Sequence, residues 1–223
     1  DYGYRAARIV QMIQAKPKLS IEDIQKIHGD DFNAMGPVFV PILASLNFDD
    51  PKLAEAVDLL KGWDDQNAID SAPAALFNIF WQRLMLRVFG SRLPKGDLPE
   101  TGRAYDIFTS LVQQPDSAWW DDPSTATVEK RDDTFRLAFQ EAVSEAENHM
   151  GSDPDRWKWG TIHTATFRNQ TLGKSVIAPI EALFNRGPFP VAGGASIVNA
   201  TSWNPEAGFQ VTSLPSERMI VDL

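Results

Sequence analysis

Two arginines one helical turn apart, Arg5 and Arg8, carry the first chemistry in this 223-residue sequence. A guanidinium stays protonated and presents a planar fork of donors. It can therefore hold a carboxylate, a main-chain carbonyl or an oxygen gaining negative charge. On composition alone Arg5 reads as a surface arginine on a terminal turn and Arg8 as a salt-bridging structural residue. His163 falls in a run expected to be a strand, between apolar neighbours and with no second histidine or carboxylate at ligand spacing. That pattern describes a hydrogen-bonded structural histidine. His28 and His149 fall at helix ends, where capping the last carbonyls accounts for them. The pairs Asp30-Asp31, Asp64-Asp65, Asp121-Asp122 and Asp132-Asp133 lack the Asp-x-Asp-x-Asp-Gly order of a calcium loop. They read as solvated acidic surface, and no metal is expected here. Gly193-Gly194 lies outside any strand-to-helix pattern and reads as a tight turn rather than a phosphate cradle.

Composition narrows the function classes. With 21 basic and 30 acidic residues the formal charge is −9, and no basic stripe occurs, which argues against a nucleic-acid partner. The absence of cysteine removes disulfides, thiolate metal sites and a cysteine nucleophile. No apolar run is long enough to span a bilayer, so no membrane partner is expected.

The elements that must position these residues divide into a helical region, 1–150, and a region of short strands with one helix, 151–223. The expected fold class is α+β. Ile9 and Ile13 share one face of a short first helix and Arg5, Arg8 and Met12 another, with Pro17 beyond its end. Ser20 caps a second helix, a third through Phe39 and Leu43 is expected to be interrupted near Gly36, Pro37 and Pro41, and Asp50-Pro51 starts a fourth. Phe77, Phe80, Trp81, Leu84, Met85 and Val88 follow the i, i+3, i+4, i+7 pattern and predict a central core helix. Helices through Tyr105 and Phe108 and through Phe135 and Phe139 follow. Strands are expected at 161–167, 196–200, 209–212 and 219–221, with a helix at 178–185.

Several segments together carry a resemblance. WKWGTIHTATFRN at 157–169 is preceded by LAFQEA at 137–142. It is followed by NRGPFPVAGG at 185–194, IVNA at 197–200 and RMIVDL at 218–223, while YRAARI at 4–9, KPKLS at 16–20 and IED at 21–23 match an opening helical region. Over nearly its whole length the chain resembles the penicillin acylase family of N-terminal-nucleophile amidohydrolases, to which acyl-homoserine-lactone acylases are similar. The resemblance implies a parent enzyme with a four-layer αββα core that matures by autocatalytic cleavage. Such an enzyme hydrolyses the amide of an N-acyl substrate through an acyl-enzyme. Its nucleophile is a Ser, Thr or Cys at the new amino terminus of the large subunit, and the free α-amine is the base.

The resemblance also implies a catalytic role for Arg5, because the family places an arginine at the start of this helix, near the acyl group and the oxyanion hole. Asp1 cannot replace the nucleophile, and the family's strands continue past a point like Leu223. The chain is therefore expected to be an internal segment of the large subunit, inactive alone, with exposed strand edges between Trp157 and Leu223. Its expected partners are the rest of the same precursor, both small subunit and remaining large subunit, and a small N-acyl amide substrate. No cofactor is expected in the segment, while calcium would bind upstream in the parent, and a periplasmic or secreted location is implied. The rival reading is a stand-alone helical scaffold or binding module without chemistry.

Overall fold

A computed structural model describes residues 3–222. Seven helices come first: α1 (Tyr4–Gln14), α2 (Ile21–His28), α3 (Gly36–Ser45), α4 (Pro51–Lys61), α5 (Ala72–Phe89), α6 (Thr101–Leu111) and α7 (Arg131–Met150). A short α8 (Trp159–Ile162) leads into β1 (Thr164–Phe167), then α9 (Ala178–Phe184), β2 (Arg186–Pro190), β3 (Ser202–Asn204) and β4 (Gly208–Ser213). The fold is α+β. The local starts follow from capping chemistry. Ser20 and Asp23 form a reciprocal capping box on α2, Asp50 accepts from Lys52 N ahead of α4, and Ser71 accepts from Ala74 N ahead of α5.

Helix α5 is apolar on nearly every side and is buried accordingly. Phe39 of α3 sits at the centre of its packing. Its ring lies 5.7–6.3 Å from those of Phe77, Phe80, Trp81, Phe108 and Phe135, so α3, α5, α6 and α7 meet at one aromatic nucleus. Ion pairs from Arg83 to Glu145 and from Arg87 to Glu141 seal the solvent side of the α5–α7 contact. Trp157, Trp159, Trp203 and Phe209 extend the same core toward the strands. Helix α8 hangs on the entry to α5 through Trp159 N to Ser71 O and Gly160 N to Ile69 O, at 3.1 and 2.8 Å. A Cβ on Gly160 would stand 2.6 Å from Ile69 Cγ2, so only glycine permits this approach.

Among the described residues, two antiparallel pairs, β1 with β2 and β3 with β4, make up the sheet content. Helix α3 is not interrupted: Gly36 and Pro37 form its first turn, where proline is tolerated, and Pro41 is accommodated within it. The expected strand at 161–167 starts late, because residues through Ile162 close the turn of α8. No strand forms at 196–200, where Ser196 takes a φ of 61° and Asn199 gives its N–H to Asp30 O. Nor does one form at 219–221 among the described residues. The Pro-containing β2 was not expected; Pro188 and Pro190 are tolerated because β2 is an edge strand, exposed at all five residues. Around it Phe167, Val176, Ile177, Leu183, Phe184 and Phe189 leave a contiguous stretch of sequence with large apolar side chains exposed, Val176 at 93% and Leu183 at 66%.

Candidate functional site

Helix α1 buries no residue fully, and polar side-chain anchors add to the half-buried Tyr4, Ile9 and Met12 in fixing where it lies. Tyr4 OH meets Thr109 Oγ1 at 2.9 Å, and its ring stands edge-on to Tyr105 at 5.6 Å. One turn on, Arg8 grips Asp30 with both arms of its fork, Nε to Oδ2 at 2.9 Å and Nη2 to Oδ1 at 2.8 Å. Its remaining nitrogen donates to Gln11 at 2.8 Å, and the guanidinium carbon lies 4.4 Å from the centre of the Phe32 ring. Hydrogen bonding to Asp30 raises the Arg8 pKa above its ordinary value, against the opposing effect of burial. Between these anchors Arg5 is exposed and makes no hydrogen bond or ion pair among the described residues.

A cleft of about 410 Å³ opens at Arg5. Arg5 and Arg8 stand on one side, Phe32 and Ala34 contribute apolar surface, and Ile197 and Val198 belong to the loop that completes it. An uncommitted guanidinium at an apolar cleft can hold one oxygen-bearing end of a ligand while the rest is desolvated. A second cavity of about 710 Å³, between α6 and the Trp119 turn, shares no residue with this cleft.

The cleft loop is fastened by buried polar chemistry. Residues 30–33 run antiparallel to 65–67 through the Phe32–Gln66 bridge, with Asn33 N to Asp65 O at 2.7 Å and Asn67 N to Asp31 O at 2.9 Å. Asn199 then docks on the aspartate pair. Its N–H donates to Asp30 O at 3.0 Å and its Nδ2 to Asp31 Oδ1 at 2.7 Å. Its own carbonyl accepts from Gly194 N and Thr201 N, and its Oδ1 from Arg218, which also donates to His28 O. Gly193, at φ 85°, exchanges bonds with Asn67 in both directions and accepts from Trp159 Nε1 at 3.0 Å. A Cβ there would stand 2.1 Å from Asn199 O. Burial pushes the Asp31 carboxyl up to about 6; Asn199 opposes that, neighbouring Asp30 adds to it, and Arg218 works against it.

The sequence-derived candidates separate clearly. Arg5 lies at a cleft, and Arg8 is salt-bridged as its spacing suggested. Asp30-Asp31 departs from the solvated surface expected of it: Asp30 is buried against Arg8 and Asp31 is half-buried under Asn199. The other pairs work as local caps. Asp64 accepts from Gln66 N, Asp122 from Ser124 N, Asp121 from Glu129 N and Asp133 from Lys130 N. His163 lies between α8 and β1 rather than within a strand. It is buried and stacked on Trp159 at 4.3 Å, with Nδ1 2.7 Å from Phe209 O and Nε2 2.9 Å from Thr201 Oγ1. Burial lowers its pKa to about 4, so it is neutral and committed to tying α8 to β4 and the 192–201 loop. Asn199 and Arg218 escaped sequence reasoning as site residues; each lies in a segment that carries the resemblance, yet neither has a local signature of a buried polar dock.

The sequence profile of the family described as penicillin amidase matches residues 1–223. Acyl-homoserine lactone acylase QuiP of Pseudomonas fluorescens is 28% identical over 183 residues, covering 77% of this chain and 21% of that protein. QuiP of Pseudomonas aeruginosa is 24% identical over an alignment of 261 residues, with 99% of this chain and 30% of that protein covered. Penicillin acylase 2 proenzyme of a Pseudomonas species is 25% identical over 224 residues, covering 99% of this chain and 28% of that protein. The chain thus spans between 21% and 30% of the length of these relatives.

Proposed function

Because the chain belongs to the penicillin amidase family, we propose that it is a segment of an N-terminal-nucleophile acylase with an αββα core, hydrolysing the amide of a small N-acyl substrate. Relatives of this chain are named acyl-homoserine lactone acylase and penicillin acylase, and the reaction proposed for this one is acyl transfer from an amide nitrogen to water. In this reading the nucleophile lies on a part of the enzyme outside this chain. Its hydroxyl or thiol attacks the amide carbon and passes its proton to the α-amine. The carbonyl oxygen gains negative charge, the amine leaves with that proton, and water then releases the acyl group as the acid.

Arg5 supports the charge or holds an oxygen of the acyl group beside the reacting carbon. The observation that carries this reading is the position of Arg5: an exposed guanidinium without a partner among the described residues, facing an apolar cleft. Two further features support the segment reading. The chain spans under a third of its relatives, and β2 with its apolar surroundings offers an exposed edge suited to cover by the rest of the precursor, small subunit and remaining large subunit alike.

Among the described residues no group of carboxylates is placed to hold a metal ion, and in this reading any calcium of the parent enzyme binds upstream of the segment. No described helix is long and apolar enough to cross a membrane; a periplasmic or secreted location is part of the proposal and rests on the family resemblance alone. The test is to assay the 223-residue chain and the longer gene product on a phenylacetyl amide and on a medium-chain acyl-homoserine lactone. The longer product turns over at least one of them and the isolated chain neither. Turnover by the isolated chain refutes the segment reading, and a longer product inactive on every N-acyl amide supports a scaffold without chemistry.

A further inference from the structure

We propose that the Asp30-Asp31 pair sets the geometry of the Arg5 cleft, Asp30 by fixing α1 and Asp31 by fixing the facing loop. The proposal rests on the functional reading of Arg5 given above. Helix α1 has no fully buried residue, and Tyr4, Ile9 and Met12 are its half-buried apolar side chains, so its polar anchors carry much of the task of fixing its rotation. Its side-chain anchors are Tyr4, adjacent to Arg5, and Arg8, one turn beyond it. The Arg8 fork makes two parallel bonds to one carboxylate and lies against the Phe32 ring, which fixes a plane as well as a distance. Rotating α1 enough to move Arg5 breaks that fork.

The opposite wall depends on the neighbouring residue. Asn199 donates one bond to the Asp30 carbonyl and one to the Asp31 carboxylate, and Ile197 and Val198 lie immediately before it in the chain. Two consecutive Cα atoms are held about 3.8 Å apart by the peptide bond. Both walls are therefore referred to a single peptide unit, and the separation between Arg5 and the 197–198 surface is set there. Neither aspartate is a catalytic residue in this scheme. Both are positioning residues that act through Arg5 and the loop.

The experiment uses the longer gene product, with a medium-chain N-acyl-homoserine lactone and a phenylacetyl amide as substrates. Asp30→Asn, Arg8→Lys, Arg5→Ala and the double variants Arg5→Ala with Asp30→Asn and Arg5→Ala with Arg8→Lys are compared for kcat, KM and amide hydrogen exchange. Asp30→Asn is expected to lower kcat by about 10- to 100-fold, the scale on which small misplacements of a working group act. It is expected to leave turnover unchanged when Arg5 is already alanine. Amides of α1 lose protection while those of α5 and α7 keep theirs. Arg8→Lys, which preserves the charge and removes the fork, reads the same contact if Asp30→Asn does not fold, and is expected to give the same loss confined to the Arg5 background. Losses from Asp30→Asn and Arg5→Ala that multiply in the double variant overturn the proposal, as does wild-type kcat in Asp30→Asn while Arg5→Ala is impaired. Wild-type turnover in Arg5→Ala removes the functional reading of Arg5 and this proposal with it.

Discussion

Replacing Asp31 by asparagine is expected to make the fold more stable near neutral pH and to leave it nearly unchanged in acid. The Asp31 carboxyl moves from 3.8 when free to about 6 in the fold, chiefly because burial penalises its charged form. A folded pKa above the unfolded one means that the native state binds the proton more tightly. Its contribution is thus fully present below about pH 4 and is lost as pH rises through about 6. Taken whole, the shift is on the order of 3 kcal/mol. The carboxyl is only half-buried, and solvent screening reduces this to roughly 1–2 kcal/mol. Asparagine keeps the oxygen that accepts from Asn199 and cannot ionise. Urea unfolding of both proteins at pH 4.5 and 7.5 gives the comparison. The wild-type curve alone is misleading, because His163, lowered to about 4 by burial, loses stability as pH falls through 6.5 toward 4 and so opposes Asp31 in the same window. The difference between the two proteins cancels His163. A stability difference equal at both pH values, or one that favours wild type more at pH 7.5, refutes the reasoning and makes ionised Asp31 a net stabiliser through Asn199 and Arg218.

In the longer enzyme proposed above, Arg5→Ala is expected to lower turnover by roughly one to three orders of magnitude, with Arg5→Lys recovering part of the loss; wild-type turnover in both excludes a catalytic role. Gly193→Ala places a Cβ 2.1 Å from Asn199 O at a φ of 85° and is expected to cost about 2 kcal/mol or more in urea unfolding. An equal midpoint there would mean that the 193–199 loop is not held as described. Val176→Asp with Leu183→Asp is expected to leave the melting temperature of the isolated chain unchanged, since both side chains are exposed; a clear drop in thermal unfolding would mean that they are packed.

The helical part was legible because its cause is periodic. The pattern from Phe77 to Val88, the Ser20 cap and the Asp50-Pro51 start each mark an element that forms where expected. The strands were less so, for two opposite reasons. The run at 196–200 carries Ile197 and Val198 and reads as a strand, yet its backbone is claimed by Asp30 and by the carbonyl docking of Asn199, which no local pattern announces. Residues 186–190 carry glycine and two prolines and pair all the same, because an edge strand can spare the missing donors. Arg5 came from resemblance rather than from spacing. The Asp30-Asp31 hub was illegible because burial of a charge depends on partners distant in sequence: Arg8 lies 22 residues away from Asp30 and Asn199 lies 168 from Asp31.

Those two separations also order the events of folding. The Arg8–Asp30 contact closes a short loop and needs only the first helices, whereas the Asp31–Asn199 contact closes a loop of 168 residues. The aromatic nucleus around Phe39 is complete once Phe135 has been synthesised, so the helical body can condense before the 193–201 loop leaves the ribosome. Contacts of such high contact order come late. The arginine side of the cleft thus depends only on residues 4–30, whereas its second wall waits for residues 197–199, which reach the Asp31 carboxylate across 168 residues of chain.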